Sequence, residues 1–314
     1  MTKSYFEVLR AGINTTYQDL GRKNLYHIGI PFSGAMDNRN YLIANYLVSN
    51  KKNTPTIEFA YQGPLLKFHG KKTFVAITGD VNFKILRKDN KYEKGNCYQT
   101  YCLMNGDEID ILSTNKSVYG YLAVNEGFDT ELFWESCSTN TKAKIGANNG
   151  EKIQLGDQIL IFESKKNILH RKINYINTKI QFIRVIKGTN YDYFSQEEKN
   201  IFFSKTFSVS KLTDRMGMRL EGIQIKNIAK PNIKSEGLIK GVIQIPPDGT
   251  PIIMLSDHGT IGGYPKIGVV ITADYDKLVQ LSTGSKIRFK LTDLHEAEKL
   301  YKFYNRDTEN LINQ

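Results

Sequence analysis

Apolar residues along this chain come in short runs, rich in β-branched and aromatic side chains and separated by Gly, Asn, Asp or Pro. Such runs predict strands. They cover residues 5–10, 56–59, 65–68, 73–77, 83–86, 108–112, 118–124 and 158–162 in the first half. In the second half they cover 180–186, 206–209, 239–244, 252–255, 267–272 and 286–291. Helical spacing is rare. Residues 37–47 carry Ile43, Tyr46 and Leu47 on one face, with Asp37 placed to cap the start. Residues 274–281 predict a short helix capped by Asp274 and stopped near Gly284. Residues 293–304 predict a terminal amphipathic helix, and 191–203 contain one more. The pattern is that of a mainly β protein, a barrel or sandwich with a few short helices.

The 314 residues suit two domains of ordinary size, at roughly 100–200 residues each. We expect lobes at 1–170 and 171–314. The densest basic cluster, Lys165, Lys166, His170, Arg171 and Lys172, falls near this division and reads as a linker. Apolar and aromatic content, 40% and 11%, is that of a globular chain, which disfavours disorder. No run reaches the roughly 20 apolar residues that span a bilayer. The N-terminus lacks the apolar segment of a signal peptide, and a cytoplasmic, non-membrane protein is expected.

Three cysteines (Cys97, Cys102, Cys137) without a Cys-x-x-Cys pair argue against a disulfide framework. The net charge of +11 raises nucleic acid as a partner. However, the lysines are scattered, and no recognition helix, zinc knuckle or RNP-type strand accompanies them, so no nucleic-acid role is expected. The five histidines have no ligand spacing, and no metal site is expected. Phosphate-loop, dinucleotide and nucleophile-elbow patterns are missing, and Gly70-Lys71-Lys72-Thr73 reads as a turn before a strand. A Met-Lys-Met biotin hairpin is missing too.

Candidate chemistry concentrates in two glycine-rich regions. One runs from Gln18-Asp19-Leu20-Gly21-Arg22 through Ser33-Gly34-Ala35-Met36-Asp37. The other runs from Asp214-Arg215-Met216-Gly217-Met218-Arg219 through Gln244 to Asp257-His258-Gly259-Thr260-Ile261-Gly262-Gly263-Tyr264-Pro265. Arg215 and Arg219 have the fork geometry that clamps a carboxylate or phosphate. Asp257, Thr260 and Tyr264 place an acceptor, a hydroxyl and a phenol on one loop. Gly262 and Gly263 let backbone N–H groups approach a ligand. Each has a plain structural alternative. The arginines pair with Asp214 and Glu221, Arg22 with Asp19, Asp37 is a helix cap, Gln244 is buried polar glue, and Gly262-Gly263 is a sharp turn.

These motifs, in this order, resemble the biotin-dependent carboxyltransferase and allophanate hydrolase subunit 2 family, and within it the class of 5-oxoprolinase C subunits. The resemblance runs from about Tyr5 to Leu291. It departs where Lys23-Asn24-Leu25 lacks the family's glycine, where Ile261 replaces a threonine, and where Met218 replaces a frequent aromatic. The resemblance implies two cyclophilin-like β-barrel lobes. It implies two partners, a B-type protein (allophanate hydrolase subunit 1-like) and an A-type protein. Together they carry out ATP-dependent hydrolysis of 5-oxo-L-proline to L-glutamate. ATP is then a cofactor of the complex, and no biotin is attached to this chain. On this reading Asp257, Asp37 and Arg215 serve catalysis. Arg219, Gln244, Thr260, Gly262, Gly263, Tyr264 and Arg22 serve substrate binding. Two other roles occur among such proteins: a urea carboxylase or allophanate hydrolase-type subunit 2, and a regulator that antagonises a histidine-kinase inhibitor.

Overall fold

The computed structural model describes residues 3–164, 167–175, 180–226, 229–230 and 232–312. It divides into two compact units. The first holds residues 1–22, 33–176 and 311–314; the second holds 23–32 and 177–310. The protein is mainly β, with four α-helices among the described residues.

In the first unit, two antiparallel sheets enclose one core. One has the spatial order Gln158–Leu160, Tyr5–Arg10, Leu65–His69, Glu108–Thr114, Val81–Leu86, Tyr92–Lys94. The other has the order Thr16–Gln18, Thr56–Ala60, Tyr119–Val124, Lys72–Thr78, Thr100–Met104. Period-2 alternation sends Phe6, Val8, Leu66, Phe68, Ile109 and Ile111 of the first sheet against Ile57, Phe59, Val75, Ile77, Leu122 and Val124 of the second. Helix α1 (Asn38–Leu47) packs on the second sheet, so Tyr119–Val124 is buried on both faces. Asp37 caps α1 as its sequence position predicts, accepting from Asn40 N at 2.9 Å.

In the second unit, eight strands run in the order Lys286–Ile287, Phe207–Val209, Gly217–Glu221, Ile252–Met254, Val242–Gln244, Lys266–Val270, Ile183–Lys187, Phe289–Leu291. The two ends of this order are consecutive pieces of one extended stretch, separated only by Arg288. The sheet therefore closes on itself as a barrel and leaves no long free edge. Helix α2 (Gln196–Ser204) is capped by Ser195, and its Phe202 stacks on Phe289 with ring centroids 4.6 Å apart. Helix α3 spans Thr272–Val279 and helix α4 spans Leu294–Ile312.

Several expectations change. Helix α3 starts earlier, with Ile271 at the cap position. Asp274 lies in its first turn, where it accepts from Arg184 N at 2.8 Å and Arg184 Nε at 2.9 Å. The carboxylate is taken by a guanidinium, so it caps nothing. Residues 191–203 contain the further helix expected there, α2, in their second half. A 3₁₀ turn, Tyr191–Tyr193, ends before Ser195 starts α2. Helix α4 runs past 304 to Ile312. The segment at 217–221, which is not among the predicted runs, is a strand because Met218 and Leu220 alternate into the core. In the basic mid-chain cluster, Lys165 and Lys166 lie outside the described residues. Arg171 is anchored within the first unit, donating to Tyr46 O at 2.6 Å with its guanidinium over that ring.

Candidate functional site

Eight predicted site residues, Arg215, Arg219, Gln244, Asp257, Thr260, Gly262, Gly263 and Tyr264, fall in the second unit; Arg22 and Asp37 fall in the first. In the barrel, strand register gathers them. Arg219 lies opposite Ile252, Ile252 opposite Gln244, and Gln244 opposite Lys266. Residues directly opposite in antiparallel ladders share a face. The neighbouring row, Met218, Ile253 and Ile243, is buried in the core, so the row Arg219, Ile252, Gln244, Lys266 faces outward. Strand spacing of about 4.8 Å puts the Arg219 and Gln244 backbones roughly 10 Å apart.

A two-stranded ribbon, Glu236–Gly237 paired with Ile261–Gly262, covers one end of this row. Its continuation Leu238 packs with Val242 and Met254, beside Ile252 and Val269. Under the ribbon Gln244 is buried, and its Nε2 donates to Tyr264 O at 3.2 Å. A Cβ added to Gly262 would lie 2.7 Å from Gln244 Nε2 and 2.8 Å from Leu238 Cδ1. A side chain here would have to push aside the ends of the Gln244 and Leu238 side chains. The backbone conformation would suit other residues. Lys266 is 3% exposed, with Nζ 2.7 Å from Glu236 Oε2. That hydrogen bond holds the Glu236 carboxyl below its ordinary range. Arg219, at the other end of the row, is exposed and has no side-chain partner among the described residues. Thr260 and Gly263 are half-buried, and Tyr264 is exposed on the ribbon's loop.

Arg215 and Asp257 form a bidentate pair, Nε to Oδ2 at 2.8 Å and Nη2 to Oδ1 at 3.1 Å, with both side chains largely buried. The Asp257 N–H also donates to Arg215 O at 2.9 Å. Asp214 instead closes its own turn, accepting from Met216 N at 2.8 Å and Gly217 N at 3.2 Å. Next to Asp257, His258 is buried and its Nδ1 lies 2.6 Å from Gly259 O. Burial pushes this imidazole below its ordinary value. Tyr26, from the 23–32 segment of the same unit, donates its hydroxyl to Leu238 O and lies edge-on to His258. Burial raises its phenol to about 12.

In the first unit, Arg22 is among the largest fully buried side chains and donates to Ser138 O at 2.5 Å. Beside it Asp19 accepts from Ser136 Oγ at 2.7 Å, Ser138 Oγ at 2.5 Å, Gly21 N at 2.8 Å and Cys137 N at 2.8 Å. Asp37 belongs to a buried polar network. Its N–H donates to Tyr121 Oη at 2.7 Å, and Tyr121 donates to Glu58 Oε2 at 2.7 Å.

Sequence reasoning missed four residues of the second-unit cluster. Lys266 directly follows Gly262-Gly263-Tyr264-Pro265, a usable signal. Glu236 and His258 lay within the glycine-rich region without a pattern to single them out. Tyr26 comes from more than 200 positions away in sequence, as its contact with Leu238 records. Among the described residues, no three His, Cys, Asp or Glu side chains converge as a metal ion would need.

Comparison with known proteins places these residues in a family context. Residues 28–291 match the model described as carboxyltransferase domain, subdomain A and B. The chain is 33% identical to the 5-oxoprolinase C subunit of Haemophilus influenzae over 94% of this chain and 93% of that protein. It is 32% identical to the 5-oxoprolinase C subunit of Escherichia coli, over 97% of both. The crystal structure of Kluyveromyces lactis urea carboxylase matches 99% of this chain at 26% identity and a TM-score of 0.88. This chain spans only 29% of that larger one.

Proposed function

The chain belongs to the family of the carboxyltransferase domain, subdomain A and B, and on that premise we propose that it works as the C subunit of a 5-oxoprolinase. One observation carries the reading: the near end-to-end match, at 33% and 32% identity, to two bacterial proteins of that name. The complex hydrolyses 5-oxo-L-proline to L-glutamate at the expense of ATP, together with B-type and A-type partner proteins. This chain is inactive alone and works in the cytoplasm. The two units are its two cyclophilin-like lobes.

The substrate is a small lactam bearing a carboxylate. Hydrolysis breaks the ring C–N bond and adds water, and amide resonance makes positioning the main task. Arg219, the exposed cation of the barrel row, holds the substrate carboxylate. Thr260 and Tyr264 supply hydrogen bonds to the lactam from the ribbon loop. Gln244, Gly262 and Gly263 fix that loop's height over the barrel. Arg215 and Asp257 act as a locked pair that aims its near end. Asp37 and Arg22 organise a second buried polar centre in the other lobe.

Among the described residues, the helix N-termini do not suit an ATP phosphate. A helix N-terminus that takes phosphate carries free N–H groups and no acid. Here α1 is capped by Asp37, and α2, α3 and α4 carry Glu197, Asp274 and Glu296 in their first turns. No lysine follows a methionine in the chain, so biotin has no ordinary attachment hairpin. ATP is handled by one of the partners.

A second reading, the carboxyltransferase portion of a urea carboxylase, is favoured by the TM-score of 0.88 to that enzyme. Co-expression with A-type and B-type proteins tests the first reading. Glutamate formation from 5-oxoproline is expected, and Arg219→Met is expected to raise KM at least tenfold. An unchanged KM removes Arg219 from the site.

A further inference from the structure

The side chain of Lys266 is only 3% exposed, and a lysine is almost never that buried unless its charge is paired. It sits on the outward row of the barrel, opposite Gln244. Among the described residues, the partner of its ammonium is Glu236, with Nζ to Oε2 at 2.7 Å. Glu236 is not a barrel residue. It belongs to the two-stranded ribbon, and its own side chain is 42% exposed. A buried cation of the scaffold therefore takes its counter-charge from a thin covering element.

Asn190 fixes where that carboxylate lies. It is 4% exposed. Its Oδ1 accepts from Lys266 N at 3.1 Å, so its amide nitrogen is the end turned towards the ribbon. That nitrogen, Nδ2, lies 3.4 Å from Glu236 Oε1. The barrel side thus meets one carboxylate with an ammonium and an amide, and the ammonium is in turn held next to the same asparagine by its own backbone.

The remaining ties on the ribbon are neutral. Its ladder has two residue pairs, Glu236 with Gly262 and Gly237 with Ile261, and so short a pair of strands is not stable alone. Leu238 packs with Val242 and Met254 and accepts from the Tyr26 hydroxyl. Gln244 donates to Tyr264 O at 3.2 Å. A charge-assisted hydrogen bond is roughly twice as strong as a neutral one, so the Lys266–Glu236 contact is the firmest of these single ties. Its hold passes to the neighbouring loop through the backbone. Leu238 N donates to Thr260 O at 2.9 Å, and Ile233 N donates to Gly263 O at 3.0 Å. The 260–264 loop follows wherever the strand carrying Glu236 sits.

We propose that Lys266 is a positioning residue: through Glu236 its ammonium holds the ribbon on the barrel and so sets the Thr260–Tyr264 loop at the height where it meets the lactam. Lys266 acts through the ribbon and touches no substrate itself. The proposal rests on the reading of this loop as part of the 5-oxoproline site.

Three variants of the full chain test it. Lys266→Met keeps the buried stem and drops the charge. Glu236→Gln drops the opposite charge. Glu236→Asp keeps that charge but shortens its reach by one methylene, at a half-exposed position where folding tolerates change. Hydrogen exchange of the isolated chain follows the Ile233 and Leu238 amides, with the Leu220 amide, which donates to Pro251 O inside the barrel, as the control for folding. Exchange about tenfold faster or more is expected at the two ribbon amides, with Leu220 unchanged. A loosened loop lowers the fraction of molecules ready to bind, and apparent affinity falls by that fraction. In the complex reconstituted with A-type and B-type proteins, KM for 5-oxoproline should therefore rise about tenfold while kcat changes far less. If a variant also loses protection at Leu220, Glu236→Asp decides. Ribbon amides that exchange as in wild type overturn the proposal. Faster exchange with an unchanged KM also overturns it and leaves the pair a purely structural contact. A wild-type complex that turns over no 5-oxoproline overturns the reading of the site, and the positioning role with it.

Discussion

Breaking the Arg215–Asp257 pair one side at a time should cost more than removing it whole. The two hydrogen bonds, at 2.8 and 3.1 Å, hold opposite charges that are largely out of water, at 12% and 4% side-chain exposure. At an effective dielectric of 20, unit charges 4 Å apart attract by about 4 kcal/mol. Desolvation of both ions offsets most of that, so the intact pair contributes little net stability. Removing one partner leaves the other charge buried, at a cost of about 3–5 kcal/mol. The residual wetting of Arg215 favours the lower end. Arg215→Met and Asp257→Leu should each destabilise the second unit by about 3 kcal/mol, lowering its melting transition by roughly 6–12 °C. The double variant should return to within about 1 kcal/mol of wild type, since apolar replacement of a buried pair is often neutral. Calorimetric unfolding of the four proteins closes the cycle, and a coupling energy of about 5–7 kcal/mol is expected, since the double variant recovers nearly all that the two single variants lose. Additivity within about 0.5 kcal/mol would refute the reasoning. Turnover in the reconstituted complex separates fold from function: the refolded double variant should remain at least tenfold impaired. Full activity there would make the pair a structural staple only.

Three further outcomes follow from single contacts. Gly262→Ala should lower activity by about tenfold and stability by about 1–3 kcal/mol, because its Cβ would meet Gln244 Nε2 at 2.7 Å; an unchanged melting temperature and KM would show that the ribbon yields freely. Burial depresses the His258 pKa below its ordinary 6.5, so unfolding takes up a proton once the pH falls below that value. Stability is then full above about pH 6.5 and declines as the pH falls towards the depressed folded value. His258→Asn should flatten this acid limb in denaturant titrations, and an identical limb in the variant contradicts the assignment. Phe133 and Ser136 exchange both backbone hydrogen bonds around a tight turn in which Glu135 has a φ of 63°; Glu135→Gly relieves this left-handed residue, worth about 1–2 kcal/mol, and costs about 0.5–1 kcal/mol in chain entropy. A small rise in melting temperature is expected, and a fall would mean that the turn is not strained.

Period-2 runs placed most strands, because alternation directly encodes a sheet with one buried face, as in Leu65–His69 and Val81–Leu86. They missed Gly217–Glu221, where a glycine and two charges among five residues masked the inward Met218 and Leu220. Asp37 was legible as a cap because capping is local. Asp274 was not, since its partner Arg184 comes from a distant strand. The site follows the same division. The glycine-rich 256–265 loop stands out in sequence, whereas the row from Arg219 to Lys266 exists only through the register of four strands. Closure of the barrel, through the two halves of 286–291, is likewise a matter of pairing that no local pattern carries.

As a C subunit, this chain serves a complex that opens 5-oxoproline. The most direct test of this role is ADP release by the chain reconstituted with its A-type and B-type partners, measured in parallel with 5-oxo-L-proline and with urea. Release is expected to depend on 5-oxoproline, to match the glutamate formed, and to disappear when this chain is omitted. Release that depends on urea and ignores 5-oxoproline would contradict it.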